Sequence, residues 1–91
     1  MITRDVLLYN GFKFRLYDGS SPESNCGEYT WQKGIHIIRI SWGGDFYGWT
    51  VNINNHDQHL GFNVLNHNSV EIDFINKAIE LCRINFKIVT L

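Results

Sequence analysis

Residues 5–17 read DVLLYNGFKFRLY and residues 35–54 read IHIIRISWGGDFYGWTVNIN, and these two stretches decide the fold that the sequence predicts. In each of them, aromatic, aliphatic and β-branched side chains flank a short turn-forming segment. The turn is Asn10-Gly11 in the first stretch and Gly-Gly-Asp at 43–45 in the second. Such residues tolerate the positive φ angles that tight hairpin turns require. Each stretch therefore predicts a β-hairpin.

Alternation in the first predicted hairpin sorts its side chains into an apolar face and a mixed, basic face. A turn centred on Asn10-Gly11 places on the apolar face Leu7, Tyr9, Phe12, Phe14 and Leu16. The opposite face carries Arg4, Val6, Leu8, Lys13, Arg15 and Tyr17. Because a slip of one residue would exchange the two faces, the pattern predicts this register.

The second predicted hairpin has the same two-sided character. A turn at 43–44 pairs Ile40 with Tyr47, and a turn at 44–45 keeps the same faces. Either way, the inward face holds Ile38, Ile40, Trp42, Tyr47, Trp49, Val51 and Ile53. The outward face holds Arg39, Ser41, Thr50, Asn52 and Asn54, with Ile35 and Ile37 among them. Inward rings and aliphatic groups with outward polar groups are typical of a half-buried antiparallel sheet.

The remaining segments predict a loop, two further strands and a helix. Residues 18–29 are polar and rich in turn formers, which predicts an exposed loop. Residues 60–65 alternate weakly and predict a short strand, and 86–91 alternate and could form a final strand. Asn68 is the predicted N-cap, with Glu71 three residues later completing a capping-box-like start. The predicted buried stripe of the helix comprises Ile72, Ile75, Ile79 and Cys82, widened by Phe74, Ala78 and Leu81.

The fold class predicted from these elements is α+β. We expect an antiparallel β-sheet of about five or six strands built from two hairpins, with one C-terminal amphipathic helix packed on its apolar face. A chain of 91 residues with no linker or internal repeat predicts a single domain over 1–91. In topology alone, four strands followed by a helix resemble the coactivator-like and whirly-type single-stranded-DNA-binding folds, and likeness of fold does not deliver function.

Charge and hydropathy limit the classes of protein to consider. Eight basic residues against nine acidic ones give a net charge of −1, which argues against a protein that coats nucleic acid by bulk electrostatics. No apolar run approaches the length of a membrane span, and the first residues do not resemble a secretory signal. We therefore expect a soluble, cytoplasmic protein in which Cys26 and Cys82 are free thiols, Cys82 serving as a small core hydrophobe.

Catalytic and metal-binding patterns are weak. The sequence has no phosphate-binding glycine loop, no cofactor motif and no paired carboxylates at suggestive spacing, so we expect a protein that is not an enzyme and uses no cofactor. His56, His59 and His67 could hold zinc, since neutral imidazoles are common zinc ligands, but three solvated loop histidines are the simpler interpretation. A nucleophilic Cys26 paired with a histidine has no supporting local pattern.

Basic and aromatic side chains supply the candidate binding surface. The predicted binding residues are Arg4, Lys13, Arg15, Tyr17, Trp31, Arg39, Trp42 and Phe46. Cations beside exposed rings suit protein contacts, and they also suit a phosphate chain with a stacked base. The alternative is structural: a solvated sheet face whose cations discourage edge aggregation, and rings that fill the core.

Two functions follow from this surface. The first is a small non-catalytic binding protein that acts through protein–protein contact, a class that includes inhibitors and adaptors encoded by phages and mobile elements. The second is binding of a nucleotide or a single-stranded nucleic acid through the basic and aromatic sheet face. A homodimer is also expected to be possible, with 86–91 as the candidate edge strand.

Overall fold

A computed structural model describes residues 2–19, 21, 26–43, 48–54, 59–64 and 71–90. In this part of the chain the elements are, in order, α1 (Arg4–Tyr9), β1 (Lys13–Leu16), β2 (Gly27–Lys33), β3 (His36–Gly43), β4 (Gly48–Asn54), β5 (His59–Val64) and α2 (Ile72–Leu81). The strands form one antiparallel sheet in the order β1-β2-β3-β4-β5. This arrangement confirms the predicted α+β class, with an antiparallel sheet and a C-terminal helix.

The hairpin predicted for 5–17 is wrong, because its first half is the helix α1. Thr3 caps that helix, its Oγ1 accepting a hydrogen bond from the backbone N–H of Val6 at 3.2 Å. The Asn-Gly pair ends the helix instead of turning a hairpin: Gly11 has φ +87°, and the N–H of Phe12 bonds the carbonyl oxygen of Leu7 at 3.1 Å. A left-handed glycine serves a helix C-terminus as well as a tight hairpin, so the same signal has two structural meanings.

The strand that pairs with β1 is β2, and β2 begins inside the segment predicted as a loop. Thr30 lies opposite Lys13, and Glu28 lies opposite Arg15. The N-terminal end of β2 is crowded, since a Cβ on Gly27 would lie 2.6 Å from the ring of Phe14. The predicted loop over 18–29 is therefore too long, and part of it belongs to the sheet.

The predicted hairpin over 35–54 is confirmed as the pair β3–β4, with a different register. Ile40 lies opposite Val51, and Trp42 lies opposite Trp49, whereas the prediction paired Ile40 with Tyr47. The strands separate at Gly43, which has φ +99° and lies opposite Gly48, so the connection is longer than a two-residue turn. Because the register differs by an even number of residues, every described side chain keeps its predicted face.

The core lies between one face of the sheet and the two helices, and we call that face the inner face. The most buried side chains of this core are Ile2, Leu7, Tyr29, Ile38, Ile40, Val51, Ile53, Ile75, Ile79 and Ile88. Helix α2 contributes the predicted stripe, and Cys82 is buried as expected. Phe74 and Leu81 do not widen the stripe, since they are 57% and 62% exposed.

The start of α2 also differs from the prediction. Its N-cap is Glu71, whose side chain makes no capping hydrogen bond, and the predicted N-cap Asn68 lies outside the described residues. Of the helices that the structure describes, none has the length and apolarity needed to cross a membrane.

The predicted strand over 86–91 is absent from the described residues 84–90. This segment comes after α2 in the chain and does not join the sheet. Asn76 holds this segment through two bonds: its Nδ2 donates to the carbonyl oxygen of Ile88 at 2.9 Å, and its Oδ1 accepts from the N–H of Ile88 at 2.8 Å. Phe86 stacks on Trp31 with ring centroids 4.2 Å apart. Side chains thus satisfy backbone groups that a neighbouring strand would otherwise bind.

Candidate binding surface

The sheet side opposite the helices, which we call the outer face, carries polar side chains in ordered rows. One row across the strands is Lys13, Thr30, Arg39, Asn52 and Gly61, and the next is Arg15, Glu28, Ser41 and Thr50. None of these residues belongs to the buried core cluster. Alternation in the strands produces this surface, because the residues between these positions point to the inner face.

Glu28 is the centre of the charge pattern on the outer face. Its Oε1 accepts a hydrogen bond from Thr30 Oγ1 at 3.0 Å and lies 3.9 Å from Arg39 Nε. Arg15 lies directly opposite Glu28 on the neighbouring strand. A half-exposed ion pair of this length contributes little to folding stability, about 0–1 kcal/mol. Its main consequence is to orient Arg39 on the surface.

The structure brings together three of the predicted cations. Lys13, Arg15 and Arg39 share the outer face, and all three are exposed. Arg4 is separate from them: it lies on α1 with its guanidinium carbon 5.3 Å from the ring centroid of Phe14, an inner-face residue. The predicted stripe of four neighbouring cations is therefore wrong, because α1 replaces the strand that was to align Arg4 with the others.

The predicted aromatic residues lie elsewhere. Trp31 and Trp42 point to the inner face and pack against the core, Trp42 with its ring centroid 5.1 Å from that of Trp49. Tyr17 follows the end of β1, where its N–H bonds the carbonyl oxygen of Cys26 at 3.1 Å. Phe46 lies outside the described residues. Trp42 thus keeps its predicted inward face, and neither Trp31 nor Trp42 adjoins the cations of the outer face.

Sequence reasoning missed the contribution of β2 to this surface. Glu28 and Thr30 alternate with Tyr29 and Trp31, which face inward. This period of two was present in the sequence, but the preceding run of turn formers led to its assignment as a loop. The missed strand lies between the predicted cations and brings the carboxylate that balances them.

Nucleophilic and metal-binding groups are not prominent in the described part of the chain. Burial raises the pKa of the Cys82 thiol, which keeps it protonated and unreactive near neutral pH. No group of three or more His, Cys, Asp or Glu side chains that could hold a metal ion occurs among the described residues. His56 and His67, and the side chain of His59, lie outside them, so the zinc hypothesis stays a prediction.

Comparisons of this chain with protein-family models, with curated proteins and with solved structures give no match.

Proposed function

We propose that this protein is a non-catalytic binding protein that contacts a protein partner through the outer face of its sheet. The observation that carries the proposal is the pair of polar rows on that face, in which three cations, one carboxylate, three hydroxyl groups and one amide are held in a fixed register. A rigid strand scaffold lets such groups meet a complementary surface with little loss of conformational freedom.

The size of the outer face suits a weak or transient complex. Five strands of four to eight residues, about 4.8 Å apart and with a rise of about 3.3 Å per residue, give a surface of roughly 500 Å². A partner covering all of it would bury about 1,000 Å² in total, near the lower limit for specific interfaces. Buried area alone does not set the affinity of such a complex.

The charge pattern of the outer face indicates which charged side chains the partner surface carries. Lys13 lies at the edge strand and Arg39 lies two strands away in the same row, so acidic side chains of the partner would meet both. Glu28, in the adjacent row on the strand between those of Lys13 and Arg39, would accept a hydrogen bond or pair with a cation of the partner. A mixed pattern of this kind discriminates between partners better than a surface of one sign.

Binding of a nucleotide or a single-stranded nucleic acid is the second candidate. It is supported by the shared placement of Lys13, Arg15 and Arg39 on one face. The described outer-face strand positions carry no tryptophan, and single-strand binding draws much of its free energy from stacking on rings. Glu28 also reduces the positive charge available to phosphates. For these reasons we place protein contact first.

In biological terms, a cytoplasmic inhibitor or adaptor, of the kind that phages and mobile elements encode, would need this one contact surface and no catalytic group. A second copy of the chain is one such partner. In that case the complex would be a homodimer, and light scattering would report twice the mass of the chain.

The test uses a photo-crosslinking amino acid at Ser41, in the centre of the outer face, and at Lys77, on the exposed side of α2. Both proteins are expressed in cells that naturally make this chain, and the adducts are compared by mass spectrometry. We expect a discrete protein adduct at Ser41 that is absent at Lys77, since these positions lie on opposite sides of the sheet.

Three results would contradict the proposal. These are identical adducts at both positions, no adduct at Ser41, and an adduct with nucleic acid in place of protein. The last result, together with salt-dependent binding of short oligonucleotides in fluorescence anisotropy, would establish the second candidate instead.

A further inference from the structure

A hollow lies on the other side of the molecule, where the β2–β3 turn meets the turn that follows α2. Its volume is about 570 Å³, within the range of small-molecule sites. The side chains that define it are Trp31, Lys33, Ile35, His36, Arg83 and Ile84. We call it the turn hollow. It is separate from the outer face, because Trp31, Lys33 and His36 occupy inner-face positions in the register.

The turn hollow is positively charged. It is lined by Lys33 and Arg83, and no carboxylate occurs among its lining residues in the described part of the chain. A neighbouring hollow along α2 is different, since Asp73 and Glu80 there accompany its cations. Arg83 lines both hollows, whereas Lys33 lines the turn hollow. In a chain of net charge −1, these two cations make the turn hollow a local site for an anion.

The other walls of the turn hollow are apolar. Ile35 is 60% exposed in the β2–β3 turn, and Trp31 is half-buried with one side of its ring stacked on Phe86. An exposed aliphatic group and an indole ring beside two cations suit a molecule that combines a flat apolar body with a negative group.

The backbone at Arg83 adds a further unusual feature. Arg83 has φ +58°, the left-handed conformation that glycine usually supplies at a helix C-terminus, and the N–H of Ile84 bonds the carbonyl oxygen of Ile79 at 3.3 Å. An arginine at this position costs conformational free energy, and it places a guanidinium group at the hollow.

We propose that the turn hollow binds a small organic anion with a flat apolar body, such as an aromatic carboxylate or a nucleoside monophosphate. Arg83 and Lys33 hold the carboxylate or phosphate, and the body lies against Trp31 and Ile35. This proposal does not depend on the outer face, so either one can fail without the other.

The test is a two-dimensional amide NMR titration of the full chain with nucleoside monophosphates, indole-3-acetate, benzoate and inorganic phosphate. We expect saturable shifts of the amides of 33–36 and 83–85 with at least one organic anion. Whether the shifts occur with the nucleoside monophosphates or with indole-3-acetate and benzoate distinguishes a nucleotide site from a site for aromatic carboxylates. Arg83→Gly, which keeps the turn, weakens binding by about tenfold or more, whereas Lys77→Ala on α2 leaves it unchanged.

Several outcomes would overturn the proposal. One is the absence of localised shifts with every organic anion at millimolar concentration, and another is unchanged binding in Arg83→Gly. Equal affinity for inorganic phosphate and for the organic anions would also contradict it, because the apolar walls would then contribute nothing.

Discussion

Asn10 and Val89 are 79 residues apart, yet the side-chain amide of the first binds both backbone groups of the second. Asn10 Nδ2 donates to the carbonyl oxygen of Val89 at 2.8 Å, and Asn10 Oδ1 accepts from the N–H of Val89 at 2.9 Å. Asn76 repeats the arrangement with Ile88. Adjacent backbone groups in this segment are thus held from α1 and from α2, and the C-terminal segment joins the two helices.

We predict that Asn76→Ala lowers the free energy of unfolding by about 2 kcal/mol. The substitution removes two hydrogen bonds and leaves the N–H and carbonyl oxygen of the buried Ile88 without these partners. Urea denaturation followed by circular dichroism measures the change. Asn85→Ala, at an exposed position of the same segment, is the control and should change stability by less than about 0.5 kcal/mol. Equal stability of Asn76→Ala and the unaltered protein would show that these bonds do not hold the segment.

In contrast to Asn76→Ala, the substitution Arg83→Gly should stabilise the protein. Because Arg83 has φ +58°, glycine relieves a left-handed conformation and should raise the free energy of unfolding by about 1 kcal/mol. Arg83→Ala separates this effect from loss of charge, since alanine retains the strain and should give no gain. Thermal unfolding of the two variants side by side measures the difference. The interpretation would be wrong if alanine and glycine stabilised the protein equally.

Gly27→Ala is expected to be among the most damaging single substitutions. The added methyl group would lie 2.6 Å from Phe14 Cε1 and would also meet the backbone of Arg15, so strands β1 and β2 must separate. Overpacking of this kind costs about 1–3 kcal/mol or more. Gly34→Ala is the comparison, because its Cβ meets no atom within 4 Å and only its φ of +61° is unfavourable. Chemical denaturation should rank Gly27→Ala as clearly less stable than Gly34→Ala, and the reverse order would contradict the packing of Phe14 over Gly27.

Alkaline pH should destabilise the fold through Cys82 and Tyr29. Burial raises the pKa of both groups above their ordinary values of 9.0 and 10.0. At pH values below these, both groups are protonated in the folded and unfolded chains, and the free energy of unfolding is not reduced by their ionisation. At higher pH the unfolded chain loses protons that the folded chain retains, so stability falls until the folded groups also ionise. Cys82→Ala and Tyr29→Phe should each flatten the decline in unfolding free energy above pH 9, measured by denaturant titration at successive pH values. An unchanged slope in both variants would exclude this cause.

How well the sequence predicts each segment of this fold depends on which groups of the chain form hydrogen bonds with its backbone. The β3–β4 pair could be predicted because alternation survives a register error of an even number of residues, as Ile40 opposite Val51 demonstrates. The helix α1 could not be predicted in this way. Asn10-Gly11 suits both a hairpin turn and a helix C-terminus, because both require a residue with positive φ, here Gly11. The segment around Ile88 alternates like a strand, but its partners are side-chain amides, for which no local pattern exists.

The sequence predicts the candidate surfaces only in part, as it does the fold. Lys13, Arg15 and Arg39 lie on one face because strand alternation alone places them there. Arg4 was misplaced together with α1. The turn hollow was not foreseen, because it depends on α2 ending beside the β2–β3 turn, a tertiary relationship that periodicity does not contain.

The most direct test of the outer face as a partner-binding surface is the affinity of the crosslinked partner for two double variants. Arg15→Ala with Arg39→Ala removes two cations from the outer face, whereas Lys77→Ala with Lys87→Ala removes the same charge from exposed positions on the helical side. Isothermal titration calorimetry should show about tenfold or greater weakening for the first pair, since interfacial arginines are frequent hot spots, and no change for the second. Equal affinity of both variants and the unaltered protein would contradict the proposed surface.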